Sequence, residues 1–277
     1  MSKLIKPHMK YSLLFSFILL CTFISSQENR NKNEKVWLSA DHVNLRDAPK
    51  NGGVLINLPI GSELTFKDSQ DGWAYVVYTK GEKKIDGYVL EEFIAENACY
   101  EEKSQNLFLF RTLSVEKNKH GMDVSKIEIR VSNGNKELAK TFVYGEREGY
   151  FYSSVTDGRQ LSDVQNVIKL DFPQECCACP GGTSYLFWNG KQIINAFSVS
   201  DGVDVPAFGK TALIFPDDHG GLSNTIIMLY FSGEINEGDN DKIAHDFIDY
   251  VQAEFHYWDG EKLKKFYPLK EVNNENN

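Results

Sequence analysis

From position 36 to 272 the chain is written as short runs rich in Val, Ile, Leu, Tyr and Phe, cut at brief intervals by Gly, Asn, Asp and Pro. Such runs specify β-strands: β-branched and aromatic side chains fit a pleated surface, and the residues between them tolerate the backbone angles of tight turns. The expected class is all-β. In the larger part of the chain, strands are expected at 107–112, 126–131, 150–155, 167–172, 184–188, 193–197, 211–215, 225–231 and 255–258. One segment has a helical apolar period: over 241–251, Ile243, Phe247 and Val251 fall on one face, and a short helix is expected there.

Three turns echo one another. Tyr185-Leu186-Phe187-Trp188-Asn189-Gly190 and Phe255-His256-Tyr257-Trp258-Asp259-Gly260 each carry an aromatic strand into an Asx-Gly turn, and Asn133-Gly134 is a looser third copy. Asx-Gly pairs favour two-residue type I′ hairpins, in which both central residues take positive φ. The copies are unequally spaced, so an irregular β-rich domain, sandwich or propeller-like, fits better than a regular repeat.

At the N-terminus, Lys3, Lys6 and Lys10 precede an uncharged run over 12–26 that ends in Ser25-Ser26, followed by the polar stretch 27–35. A basic start, an apolar centre too short to cross a bilayer and a small-residue end make a signal peptide over 1–26, with cleavage expected after Ser26. Lipid attachment at Cys21 ranks second, because Leu20 stands where a lipoprotein signal needs a small residue; a retained anchor ranks third. Residues 27–35 read as a linker and 273–277 as a polar tail. The protein is then exported, to a periplasm, a cell envelope or the medium, with no transmembrane span left after cleavage. Losing three of 30 basic residues leaves 27 against 39 acidic ones, a net charge of −12. That balance excludes nucleic-acid or anionic-lipid binding through bulk charge and favours cationic partners.

Outside the signal, Cys99, Cys176, Cys177 and Cys179 remain, an even number in an oxidising compartment, and disulfides are their expected use. The clustered thiols suit a soft metal, but no His follows at ligand spacing, so no metal and no cofactor is expected. The cluster runs into Pro180-Gly181-Gly182 and a strand, not into the helix start that would favour a thiolate nucleophile. The acidic loops Asp217-Asp218-His219 and 234–241 read as solvated turns, and no catalytic residue is expected.

Residues 36–97 form a block of their own. Val43-Asn44-Leu45-Arg46-Asp47-Ala48-Pro49, Leu58-Pro59-Ile60-Gly61, Leu64-Thr65-Phe66, Asp71-Gly72-Trp73-Ala74-Tyr75-Val76 and Asp86-Gly87-Tyr88-Val89-Leu90-Glu91-Glu92-Phe93 follow one another there. In that order they resemble the bacterial SH3 (SH3b) family over 36–95. The resemblance implies a small SH3-like barrel at 36–97, followed by the larger β-rich domain at 98–272. The residues agree, since Trp73, Tyr75 and Val77 alternate with Ala74, Val76 and Tyr78 and give one strand two distinct faces. Carried over from the family, the ligand groove falls at Trp73, Leu90 and Phe93; Asp71 and Glu92, with Asp68 and Glu91, lie near the same rim in sequence. The Pro and Tyr of polyproline-binding members are missing, which argues against a polyproline ligand. The resemblance instead implies a peptidoglycan peptide or an envelope protein as partner, with a cationic group held by the rim acids. The expected function is that of an exported, non-enzymatic binding protein. The alternative is an envelope hydrolase that this block targets, with an active site within 100–272 using Asp217, Asp218 and His219.

Overall fold

The computed structural model describes residues 30–117, 123–145, 150–173, 181–204, 207–236 and 245–267. The expected signal peptide, the cysteines at 176, 177 and 179 and the polar tail lie outside them. The described chain is all-β: every strand belongs to one of three antiparallel sheets, and the one helical turn is a 3₁₀ turn at Glu91–Phe93.

The first sheet comprises β1 (Lys35–Trp37), β2 (Val43–Arg46), β3 (Val54–Leu58), β4 (Glu63–Gln70), β5 (Trp73–Lys80) and β6 (Lys83–Leu90), in the order β1-β4-β5-β6-β2-β3. Its core draws on every strand: Val36, Leu45, Leu58, Leu64, Phe66, Ala74, Val76 and Val89 form one buried cluster with Ile94. One cluster fed by all six strands requires the sheet to curl round on itself. The hydrogen-bonded ladder stays open between β1 and β3, so the expected barrel is a curled sheet with two edges. Two glycine positions make this curl possible. A Cβ at Gly87 would lie 2.5 Å from the carbonyl oxygen of Arg46, so only glycine lets β2 reach β6. Gly72 takes φ 77° beside Asp71 at φ 51°, the pair of positive angles that a two-residue type I′ hairpin between β4 and β5 needs.

The second sheet, in the order β10-β9-β8-β7, contains β7 (Asn97–Glu101), β8 (Asn106–Lys117), β9 (Asp123–Asn133) and β10 (Lys136–Tyr144). The third is an eight-stranded meander of β11 (Tyr152–Asp157), β12 (Asn166–Phe172), β13 (Gly181–Trp188), β14 (Ile193–Asp204), β15 (Ala207–Ile214), β16 (Thr225–Asn236), β17 (His245–Trp258) and β18 (Leu263–Phe266). Alternation along β12 and β13 divides their side chains between two cores. Ile168, Leu170, Leu186 and Trp188 pack against Phe108, Phe110, Ile127 and Ile129 of the second sheet. Val167 and Phe187 point the other way, onto Ile226, Met228 and Trp258 of the far half of their own sheet. The large domain is thus layered like a sandwich, and each fully buried aromatic contributes about 1.5–3 kcal/mol to it. At one edge β7 runs beside β11 in the same direction, with Asn97 donating to the Phe151 carbonyl at 3.5 Å and Cys99 to that of Ser153 at 3.8 Å.

Two local expectations are corrected. From His245 onward the expected helix at 241–251 is strand β17, whose ladder with β16 runs from His245 to Tyr257; long-range pairing overrides the local period. The Asx-Gly turns are also not type I′. Trp188 pairs with Ile193 and Trp258 with Leu263, which leaves 189–192 and 259–262 as loops in which Gly190 (φ 88°) and Gly260 (φ 96°) alone take positive φ. The Asx side chain caps each loop instead: Asn189 Oδ1 accepts from the amides of Lys191 and Gln192 at 3.0 and 2.9 Å, and Asp259 Oδ1 from those of Glu261 and Lys262 at 3.0 and 2.8 Å. At the third copy the loop has two residues, but positive φ occurs at Gly134 alone.

Candidate functional site

The outward face of the first sheet follows from the alternation in β5. Ala74 and Val76 enter the core, so Trp73, Tyr75 and Val77 face away from it. Register then builds two rows. Asp68 lies opposite Tyr75, Tyr75 opposite Tyr88, and Tyr88 opposite Arg46; next to them Gln70 lies opposite Trp73 and Trp73 opposite Leu90. The Tyr75 and Tyr88 rings sit 5.1 Å apart, and the Tyr75 hydroxyl donates to Asp86 Oδ2 at 2.7 Å. That bond, ahead of burial and the charge of Asp86, raises the tyrosine above its ordinary value. The face combines aromatic rings with two carboxylates, Asp68 and Asp86.

Of the residues expected in the groove, Trp73 and Leu90 are direct cross-strand partners, and Trp73 is only 8% exposed. Phe93 does not join them; it packs against the core cluster. Asp71 is exposed at the tip of the β4–β5 hairpin. Glu92 is exposed too, and its backbone carbonyl accepts from the guanidinium of Arg111 in the second sheet. Arg111 also pairs at 3.0 Å with Oε1 of Glu128, a residue 3% exposed whose same oxygen accepts from Arg130 Nε at 2.8 Å.

Asp217 and Asp218 are engaged in structure. Arg159 Nε donates to Asp217 at 2.8 Å and its Nη2 to Asp218 at 2.6 Å, while the second Asp218 oxygen accepts from the Phe215 amide at 2.7 Å. The Arg159 guanidinium lies over the Phe215 ring, 4.6 Å from its centre, so this constellation closes a turn onto the sheet. Cys99 is a free, half-buried thiol against Ser153; burial pushes it up, against the hydrogen bond from Ser153. Among the described residues no group of three or more His, Cys, Asp or Glu is placed to hold a metal ion.

A site the sequence reading missed lies where the second and third sheets open at one end of the sandwich. A cleft of about 490 Å³ is lined there by Glu101, Lys103, Ser104, Asn106, Leu138, Asp157, Gln165, Trp188 and Gly190. These residues sit on or next to the connections β7–β8, β11–β12 and β13–β14 and on β10, which the antiparallel topology gathers at one end. Glu101 accepts from the amides of Ser104 and Lys103 at 2.7 and 3.1 Å. Burial pushes its carboxyl up, but those amides and the side chains of Ser104 and Asn166 outweigh burial and hold it below its ordinary value. Lys103 pairs with Asp157 at 3.1 Å, and that bond, with the Arg159 amide, depresses Asp157 as well. Both acids are therefore ionised at neutral pH.

Trp188 belongs to the lining, and Asn166 is its direct partner across β12 and β13 on the face turned toward the second sheet. Asn166 donates to the Thr156 carbonyl at 3.1 Å; among the described residues its Oδ1 meets no donor and the indole N–H of Trp188 no acceptor, and both atoms are sealed from solvent. Both residues are almost wholly buried, Asn166 at 1% and Trp188 at 0% exposure. In the sequence the only trace of this is an Asn at the head of an apolar strand, which looks the same as an ordinary turn residue. No family model, no curated protein and no solved structure matches the chain.

Proposed function

We propose that the protein is an exported binding protein whose first sheet, an SH3-like module, docks on a cell-wall peptide or an envelope protein. The observation that carries this reading is the pair of rows Asp68–Tyr75–Tyr88 and Trp73–Leu90 on the side of β5 and β6 turned away from the core. Rings on a rigid sheet offer area at little entropic cost, and carboxylates beside them attract a primary amine such as a peptide side chain carries. Retention on purified peptidoglycan tests it. Asp68→Asn and Tyr88→Ala, shown to be folded by their unfolding transitions, are expected to release the protein at lower salt than the unaltered chain. Equal retention of all three would overturn the reading. The basis for export is the signal-like segment at 1–26.

A further inference from the structure

We infer that the outward row carried by β4, β5, β6 and β2 reads a short peptide by its two charges, with the peptide's cationic group on Asp68 and its carboxylate on Arg46. This rests on the reading of the first sheet as a docking module and adds the ligand's length and direction. Register sets the row out. Asp68 lies opposite Tyr75, Tyr75 opposite Tyr88, Tyr88 opposite Arg46, and Arg46 opposite Val54, which is 53% exposed. Leu45 and Val89, the chain neighbours of Arg46 and Tyr88, are core residues, so alternation puts Arg46 and Tyr88 on the same outward face as Tyr75. The row is therefore a carboxylate, two rings 5.1 Å apart and a guanidinium, in that order.

Both end charges are uncommitted. Asp68 Oδ1 accepts from the Ser69 amide at 2.9 Å and Arg46 Nη1 donates to the Gly52 carbonyl at 2.8 Å, but neither has an ion-pair partner among the described residues. The charges beside them are engaged. Lys67, next to Asp68, donates to Asn33 Oδ1 at 2.6 Å, and Asp86 accepts from the Tyr75 hydroxyl at 2.7 Å. Asp47, next to Arg46, stands against the loop at Gly52 and Gly53, where an added Cβ would lie 2.7 and 3.2 Å from its carboxylate oxygens. Opposite charges at opposite ends select the class. A polyanion is repelled by Asp68 and Asp86, a polycation by Arg46, and a neutral sugar uses neither charge. Adjacent strands lie ~4.8 Å apart, so the steps from Asp68 across β5 and β6 to Arg46 span about 14 Å, or about four residues of extended chain. A free tetrapeptide carries its amine and its carboxylate at that separation, with its middle lying over Tyr75 and Tyr88.

The test is a calorimetric titration of the full chain with tetraalanine, its N-acetylated form, its C-terminal amide and dialanine. Free tetraalanine is expected to saturate the protein, and each of the other three to bind about tenfold or more weakly, the loss of a hydrogen bond between charged groups. The variants fix the direction. Asp68→Asn should lose the response to acetylation and keep the response to amidation, and Arg46→Gln should do the reverse. The proposal is overturned if free tetraalanine does not saturate by ~10 mM, if the blocked forms and dialanine bind as it does, or if the responses of the two variants are exchanged. The blocked peptides probe the unaltered chain, so they decide the matter even where a variant does not fold. Retention on peptidoglycan separates this proposal from the reading beneath it. If Tyr88→Ala weakens retention and Arg46→Gln leaves it equal to that of the unaltered chain, the two-charge row alone is overturned. If neither Asp68→Asn nor Tyr88→Ala changes retention, the docking module itself is overturned.

Discussion

Trp258 and Trp188 end the first strands of two hairpins of the same design, yet their indoles meet different surroundings: Trp258 Nε1 donates to the Ser162 carbonyl at 3.0 Å, and Trp188 Nε1 has no acceptor among the described residues. The contact of Trp258 pins the loop between β11 and β12. That loop is held again where the Ser162 amide donates to Asn224 Oδ1 at 2.7 Å.

The two tryptophans should therefore respond differently to the same substitution. Trp→Phe removes similar ring volume at each fully buried position but breaks a hydrogen bond at Trp258 alone. Urea unfolding should show Trp258→Phe less stable than Trp188→Phe by about 1–2 kcal/mol, and equal losses would mean that the Ser162 contact contributes nothing.

Glu128 should be the most sensitive charged residue of the second sheet. It is 3% exposed and bonded to the guanidiniums of both Arg111 and Arg130, and removing it takes the only carboxylate partner that Arg111 has among the described residues, while Arg130 keeps Glu137 at 2.8 Å. Glu128→Ala should lower stability by about 3 kcal/mol in urea unfolding. A loss below ~1 kcal/mol would show that the pair behaves as a solvated surface contact.

Alkaline stability should depend on Tyr185. Its ring stacks on Phe197 at 4.7 Å, and burial, with Asp171 and Asp201 nearby, pushes its hydroxyl from 10.0 up to about 12. The unfolded chain releases this proton first, so the stability it adds is complete below pH 10.0 and is lost as pH rises toward about 12. Tyr185→Phe should flatten the decline over that interval in unfolding curves, and an unchanged slope would count against the shift.

Gly87 tests how the first sheet curls. An added methyl group meets the Arg46 carbonyl oxygen at 2.5 Å and Leu45 Cγ at 3.0 Å, backbone and core that cannot both withdraw. Gly87→Ala should cost about 1–3 kcal/mol by calorimetry, whereas Gly81→Ala, at an exposed hairpin tip with open space around its Cα, pays only for its positive φ.

Local patterning made the class legible, because a strand's two faces and its bounding turns are written in consecutive residues. The pairing of Trp73 with Leu90 was within reach for the same reason: both flank short, well-marked hairpins, and register follows from the turn. The engagement of Asp217 and Asp218 by Arg159 was not, since those groups meet only after several strands have been laid down between them. The Trp188 cleft lay further out of reach. It depends on the register of β12 against β13 and on how the second sheet covers them, and neither leaves a local mark. Ladder pairing likewise outvoted the apolar period of 241–251, and side-chain capping outvoted the turn preference of Asn189-Gly190 and Asp259-Gly260.

The joint between the first and second sheets is itself apolar: Ile60 and Ala95 are buried against Leu107 and Leu109, with Trp37 and Ala98 packed beside them, and a Cβ at Gly61 would stand 3.1 Å from the Gly134 carbonyl oxygen. A chain severed between Glu96 and Asn97 would turn that seam into two sticky scars, so neither fragment is a faithful stand-in for the whole. In the intact molecule the same seam joins the two sheets side chain to side chain, so the first sheet is fastened to the large domain by a small core of its own.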